Sequence, residues 1–364
     1  MQPELPPKPK PMARFKSWIH KHPRRTYALV GLGLVLAGGL TTMAVLWQQP
    51  EEKQVVVTKP KPAPKPKTIY YSPLTGEVVA DQSAVTKPTT AIMIENSPDA
   101  RPQSGLKDAE IVYEAVAEGG ITRFLTVHQQ RQPETIGPVR SLRMYYVDWL
   151  TPFDASVAHV GGSAEALKVV RGGGYRDIDQ FFNAPFYRRA TDRYAPHNVY
   201  TSFSKLNELN ASKGYTSSDP KAFDRTDDEK DPVQDGNQVN LTISGPSYNS
   251  SYAYDAAGKV YNRSQGGAPH TDREAGQIQA KVVVALRVNM QRVMEDGYRE
   301  SITTTGSGEA MVFQNGHANK VTWHKDSREA QLRFTDAAGQ PFKLARGTTW
   351  ISAIPITSGN VTWQ

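Results

Sequence analysis

Four groups of residues have the types and spacing to do chemistry. The first is a set of arginines, Arg101, Arg123, Arg140 and Arg143. Arg140 and Arg143 flank Ser141 in the stretch IGPVRSLR, and a Gly-Gly-Ser helix start follows at residues 161–163. Guanidiniums gathered at a strand end, beside the free N–H groups of a helix start, can hold a phosphate or carboxylate through paired hydrogen bonds. Ordinary ion pairing with Glu114, Glu118 or Asp148 would use the same arginines without a ligand. The second group is acidic: Glu95, Asp108, Glu110, Glu114, Glu118, Asp148 and Asp154. Two of these can form an acid/base pair or share a divalent cation, although their spacing matches no metal-binding loop. The third is the histidines His159 and His197, each a candidate general base or metal ligand. Neither belongs to an HExxH motif, and a hydrogen-bonded structural histidine is the plainer role. The fourth is Ser163 or Ser141 as a nucleophile. Neither lies in GxSxG or SxxK, and helix capping accounts for Ser163. Further on, His270 and Asp272 in PHTDR form a polar cluster able to meet an anion or a metal. No motif specifies a metal or a cofactor.

The elements that must position these residues change character along the chain. Residues 68–209 mix strands and helices. Residues 89–94, 111–116, 121–128 and 156–160 have strand patterns, with 121–128 alternating as a half-buried strand does. Helical spacing appears at 142–150 and 164–170, the latter capped by Ser163. A helix start is also expected at 104–108, with Ser104 as its N-cap. Such alternation predicts an α/β layered unit. Residues 210–236 are polar and acid-rich and predict an inter-domain loop. Residues 237–364 then turn to β: an Asn315-Gly316 turn and two Asp-Ala-Ala-Gly turns, at 255–258 and 336–339, mark hairpins of an antiparallel β domain. The fold class expected is α+β, with the α/β unit first, the antiparallel unit second and one transmembrane helix ahead of both.

That helix is the run ALVGLGLVLAGGLTTMAVL, which opens at Ala28, closes at Leu46 and contains no charge. Nineteen helical residues span about 29 Å, against a hydrocarbon core of about 30 Å. Tyr27 and Trp47 flank it as interfacial aromatics do, and seven Lys or Arg residues precede it. The positive-inside rule therefore places residues 1–27 in the cytoplasm and the bulk outside the cell membrane. A cleaved signal peptide fits less well, because the run is long and Thr42-Met43-Ala44 makes a poor cleavage site. A buried core helix would need apolar partners that its flanks do not supply. Residues 48–67 include KPKPAPKPK, whose alternating prolines favour an extended polyproline stalk.

Charge is divided unevenly. Of 43 Lys and Arg residues, 12 lie at or before Lys67 beside 3 acids, which leaves 31 bases against 33 acids in the rest. The folded part is thus near neutral and lacks the basic footprint that tracks nucleic-acid phosphates. With no cysteine, the chain has no disulfides, thiol nucleophile, cysteine-ligated metal or cysteine-linked lipid.

The segments MIENSPDARPQSGLKDAEIVYEAVAEGGITRFLTV, IGPVRSLR, AHVGGSAEAL and APHNVYTS, in that order, resemble the YerB-like family described as cell-surface lipoproteins, domain of unknown function 3048. PHTDREAG, KVVVAL, GSGEAMVFQNG, VTWHK and GTTWISAIP resemble that family's C-terminal domain. The resemblance runs from about Tyr71 to Pro355 and implies a two-domain ectodomain outside the membrane. It brings no reaction with it, so no residue inherits a catalytic role. In place of the family's lipid attachment, this chain offers its apolar helix.

Two functional expectations follow. One is an envelope module that binds a wall polymer, a lipid-linked precursor or a partner protein. The other is an envelope enzyme acting on a phosphate-bearing glycan or lipid carrier, with Arg123, Arg140 and Arg143 clamping the pyrophosphate and Asp148 or Asp154 as base or metal ligand. Convergence of the arginines in one pocket favours the enzyme; dispersal into ion pairs favours the binder. A third expectation, a nucleic-acid or helicase partner, would make the basic tail the active part.

Overall fold

The computed structural model describes residues 16, 18–21, 23–47 and 68–364, apart from 231 and 293–298. Most of the basic tail and the whole Pro/Lys-rich stalk lie outside the described residues. The chain divides into two units, Met1–Pro66 and Lys67–Gln364. The first contains the 25-residue helix α1 (Pro23–Trp47), with proline at the first helical position, where no N–H bond is lost. Among the described residues, no helix is long and apolar enough to cross a membrane. Part of the side chains of α1 lie outside that description, so the expectation of a spanning helix at 28–46 rests on the sequence.

After a short strand pair (Tyr70–Tyr71 with Val78–Val79) and a helical turn (Gln82–Val85), the second unit continues with β1 (Thr90–Glu95), β2 (Ile111–Glu118) and β3 (Ile121–His128), then α2 (Met144–Leu150), β4 (Ser156–Ala158), α3 (Ala164–Val169), β5 (Arg176–Asp177) and α4 (Phe203–Ser212). After the acid-rich stretch come β6 (Gln238–Thr242), β7 (Ser250–Asp255), β8 (Val260–Gln265) and β9 (Val282–Val288). The chain ends with β10 (Gly306–Gln314), β11 (His317–Lys325), β12 (Arg333–Thr335), β13 (Pro341–Phe342), β14 (Thr349–Pro355) and β15 (Asn360–Trp363).

Among the described residues, eleven of these strands form one sheet in the order β13-β12-β11-β10-β9-β14-β2-β3-β1-β4-β5. The two sequence halves meet where β14 pairs with β9 on one side and β2 on the other, both in parallel. The hairpins expected at Asn315-Gly316 and at the two Asp-Ala-Ala-Gly turns are present, as β10–β11, β7–β8 and β12–β13. The expectation of a purely antiparallel second half is corrected at β14. Its TWISAIP run is apolar on both faces, which is the signature of an interior parallel strand.

Both faces of the sheet are covered. Ile111, Tyr113 and Ala115 of β2 belong to one hydrophobic cluster and Val112 and Val116 to the other. β3 divides likewise, with Leu125 and Val127 on one face and Phe124 on the other. Seven of its eight residues are buried, so the strand expected to be half-buried is an interior one: its polar Thr122, Arg123 and Thr126 are enclosed rather than solvated. One face is closed by α2, whose Trp149 stacks on Tyr113 at a centroid distance of 5.2 Å. Tyr146 Oη donates to Arg123 O at 2.7 Å, tying α2 to the sheet backbone. The other face receives the second sheet, in which β15, β6, β7 and β8 lie side by side and contribute Val239, Leu241, Tyr252 and Tyr261.

No helix starts at 104–108. The Ser104 N–H instead donates to Gly137 O at 2.9 Å, and Ser104 Oγ donates to Glu274 at 3.0 Å. These long-range bonds outweigh the local capping pattern. The other capping expectation holds: Ser163 Oγ accepts from Ala166 N–H at the start of α3.

Candidate functional site

The parallel strands β1, β4 and β5 end on the same side of the sheet. Crevices outside the carboxyl ends of such strands are where open α/β sheets place ligands. The stretch 137–142 crosses there: Arg140 N–H donates to Met93 O at 2.8 Å, and Arg140 O accepts from Val160 N–H at 3.0 Å.

β1 delivers Glu95 to this edge almost fully buried. Its Oε1 accepts from Ser97 Oγ at 3.1 Å, lies 2.9 Å from His197 Nδ1 and lies 3.2 Å from Arg140 Nε. Glu95 Oε2 is buried and has no hydrogen-bond partner among the described residues. A carboxylate at Nδ1 makes that nitrogen the proton carrier, so the lone pair of the neutral ring lies on Nε2. Nε2 is directed towards Asp99, 4.0 Å from Oδ2. There it borders an open cavity of about 710 Å³, lined by Asp99, Arg101, Asp192, Arg193, His197 and Arg273 among others.

Each arginine of this cavity has part of its guanidinium bonded to protein oxygens. Arg101 donates to Asn96 Oδ1 at 3.1 Å and Asn96 O at 2.9 Å. Arg193 donates to Asp99 O at 2.7 Å and Pro102 O at 2.6 Å. Arg273 pairs with Asp192 at 2.5 Å. Fixed guanidiniums of this kind keep further N–H donors for an acceptor in the cavity.

Behind the cavity a buried network joins the two halves of the chain. Gln103 Nε2 donates to Glu95 O and to Asn96 Oδ1, both at 3.0 Å. Gln103 Oε1 lies 3.0 Å from His270 Nε2, and His270 Nδ1 faces Arg263. Arginine can only donate, so Nδ1 is the acceptor and Nε2 carries the hydrogen. Burial, then Arg263 and Arg101, push the imidazole well below its ordinary range. Arg263 completes the network with Glu114 at 2.8 Å and lies 4.4 Å from the Trp350 ring centroid. Both members of that ion pair are fully enclosed.

The arginines singled out from the sequence therefore fall in different places. Arg101 lines the cavity, and Arg140 lies behind it against Glu95. Arg123 and Arg143 both clamp Glu118, each at 2.5 Å. Burial raises the Glu118 carboxyl, but the two guanidiniums outweigh it and hold the group below its usual range. Arg143, Asp148 and Ser163 border a second cavity of about 700 Å³ beside α2 and α3. Asp148 accepts from Arg328 at 2.7 Å and Thr304 at 2.6 Å. Asp154 pairs with Arg176 at 3.0 Å. Asp272 accepts from three backbone N–H groups, those of Lys107, Glu274 and Ala275. It therefore orders a turn rather than facing a ligand. His159 lies apart from His197, bonded to Gly161 O and Asp177.

Sequence reasoning missed Arg193, Arg273, Asp177, Asp179 and Arg263. Arg273 stands inside the PHTDREAG segment, and Asp177 and Asp179 form an Asp-x-Asp pair, so both had a local signal. Arg193 and Arg263 have none, because only the fold brings them in.

These features define a two-part α+β protein with a histidine–carboxylate pair under a cationic pocket. The chain belongs to the DUF3048 family: residues 74–216 match "Protein of unknown function (DUF3048) N-terminal domain" and residues 239–351 match the corresponding C-terminal domain. Over 290 residues it is 33% identical to "Putative lipoprotein YerB" of Bacillus subtilis (strain 168), covering 78% of this chain and 86% of that protein. The crystal structure of Bacillus subtilis YerB superposes with a TM-score of 0.72 at 29% identity, over 80% of this chain and 99% of that one.

Proposed function

We propose that this protein is held at the outer face of the cell membrane by the uncharged run 28–46. There it binds a phosphate- or carboxylate-bearing envelope ligand, such as a wall glycopolymer or a lipid-linked precursor, in the pocket over His197. One observation carries this reading: the guanidiniums of Arg101, Arg193 and Arg273 and the ring of His197 border a single open cavity, with Asp99 and Asp192 as its acids. Three permanent cations against two carboxylates favour an anion, and guanidinium recognises its planar oxygens in pairs. The description of YerB as a lipoprotein supports an envelope location for its relatives. The expected clamp of Arg123, Arg140 and Arg143 is not the basis of this proposal, since these groups neutralise Glu118 and Glu95.

A second reading has its own observation. Glu95 orients His197 so that Nε2 borders the pocket, the arrangement of a general base set by a carboxylate. One experiment separates the two. The protein is incubated with purified wall glycopolymer and with lipid-linked pyrophosphate precursor, and binding and product mass are followed together. Saturable, salt-sensitive binding with unchanged mass, lost in Arg193→Ala and Arg273→Ala, supports the binder. A mass change abolished by His197→Ala supports the enzyme. Absence of any binding by the folded protein rejects both.

A further inference from the structure

We infer that His159, Asp177 and Asp179 form a binding site for a divalent first-row cation of the zinc class. His159 follows β4, Asp177 ends β5, and one ligand atom from each of the three residues lies within 4.8 Å of the others. His159 and Asp179 are fully buried, and Asp177 remains partly open to solvent, which gives an ion a way in.

The hydrogen bonding of His159 carries the inference. Nδ1 lies 2.7 Å from Gly161 O. A carbonyl only accepts, so Nδ1 bears a hydrogen. Nε2 lies 3.0 Å from Asp177 Oδ1, and an ionised carboxylate also only accepts. A lone pair aimed at a carboxylate is repulsive, so a positive species must lie between the two atoms: a proton or a metal ion. A ring whose second N–H is anchored on a backbone carbonyl is the usual state of a metal-ligating histidine. Imidazole and carboxylate ligands about 2.1 Å from a common ion lie roughly 3–4 Å apart, and the Nε2–Oδ1 separation already falls in that range.

The neighbouring cation gives the site a competitor. Arg171 pairs with Asp179 at 2.5 Å and approaches Asp177 at 3.7 Å. It is followed by Gly172, Gly173 and Gly174, where an added Cβ would meet no atom of the described residues within 4 Å. That segment has room to carry the guanidinium away when an ion takes the carboxylates.

The test is calorimetric titration of the metal-stripped full-length protein in detergent with Zn²⁺, alongside Co²⁺ absorption spectra. One ion is expected to bind per chain, with a Co²⁺ spectrum of mixed nitrogen and oxygen ligands. Asp177→Asn, nearly isosteric, should weaken binding at least tenfold. Arg171→Ala, which removes the competitor, should tighten it several-fold. Unfolding curves of both variants establish that they are native before titration. The inference is overturned if neither the wild type nor Arg171→Ala binds the ion, or if Asp177→Asn binds it as well as the wild type does. In those cases the contact between Nε2 and Asp177 is bridged by a proton and not by an ion.

Discussion

His197 Nδ1 and Glu95 Oε1, 102 residues apart in sequence, lie 2.9 Å from each other at the inner wall of the arginine-lined pocket. Glu95 is fixed by the end of β1 and His197 by a loop that Arg193 pins to residues 99 and 102. The pair is thus prearranged, and its use should be measurable. His197→Ala is expected to weaken binding of a phosphate-bearing glycan ligand by about fivefold, on the scale of about 1 kcal/mol for one neutral hydrogen bond donated by a ligand hydroxyl to Nε2. Titration calorimetry at two salt concentrations checks it, and an unaltered affinity would remove His197 from the site.

The ion pair of Arg263 and Glu114 should dominate stability. Removing one member of a fully buried pair leaves an uncompensated charge and costs about 3–5 kcal/mol. Glu114→Gln should therefore lower the denaturation midpoint sharply. Lys205 and Glu208, 2.8 Å apart but half exposed, form the comparison pair. Glu208→Ala should change stability by less than about 0.5 kcal/mol. Equal effects for the two would show that the buried network is not the link between the halves.

Two buried histidines set an acid limit. Burial lowers His128 from 6.5 to about 4, and His270 is also well below its ordinary range. Below about pH 6.5 the unfolded chain binds protons that the folded chain refuses, so stability falls with falling pH. For His128 the loss runs from about pH 6.5 to about 4 and is on the order of 3 kcal/mol at its end. Urea titrations at pH 7.5, 6 and 5 should show the decline, and His128→Gln should flatten it. A wild-type stability independent of pH across that range would contradict the burial of both rings.

Gly137 should not tolerate a side chain. It has φ of +148°, and a Cβ would lie 2.8 Å from Tyr200 Cδ1 and 2.9 Å from Val199 O. Gly137→Ala is expected to cost about 2 kcal/mol or more, read as a lower melting temperature. It should also weaken ligand binding, because residues 137–142 carry Arg140 to Glu95. A variant as stable as the parent would mean that this crossing can shift outward.

Much of the secondary structure was legible because the turns are chemically explicit. Asn315-Gly316 and the two Asp-Ala-Ala-Gly stretches announce their hairpins, and the apolar runs of β1, β2 and β9 are long enough to identify. The neighbour relations of β14 were not legible, since no local signal says that residues 349–355 lie beside residues 111–114 rather than beside the strand before them. The candidate site shows the same division. Arg101, Arg140 and His197 stood out by type and context. Arg193, Arg273 and the Glu95–His197 pairing depend on contacts between segments a hundred residues apart, which periodicity does not encode. The Ser104 expectation failed for a related reason: a serine followed by an acid resembles a cap wherever it occurs, and only distant partners decide otherwise.

The position of β14 has a consequence for the order in which the molecule can be made. During synthesis β2 pairs early with β3, and β9 later with β10, but one edge of each stays open until β14 appears. Both strands are rich in β-branched side chains, and an open edge of that kind invites pairing with other chains. A nascent polypeptide halted anywhere before residue 349 therefore lacks the strand that joins its halves, so the eleven-stranded sheet cannot close until residues 349–355 have been made.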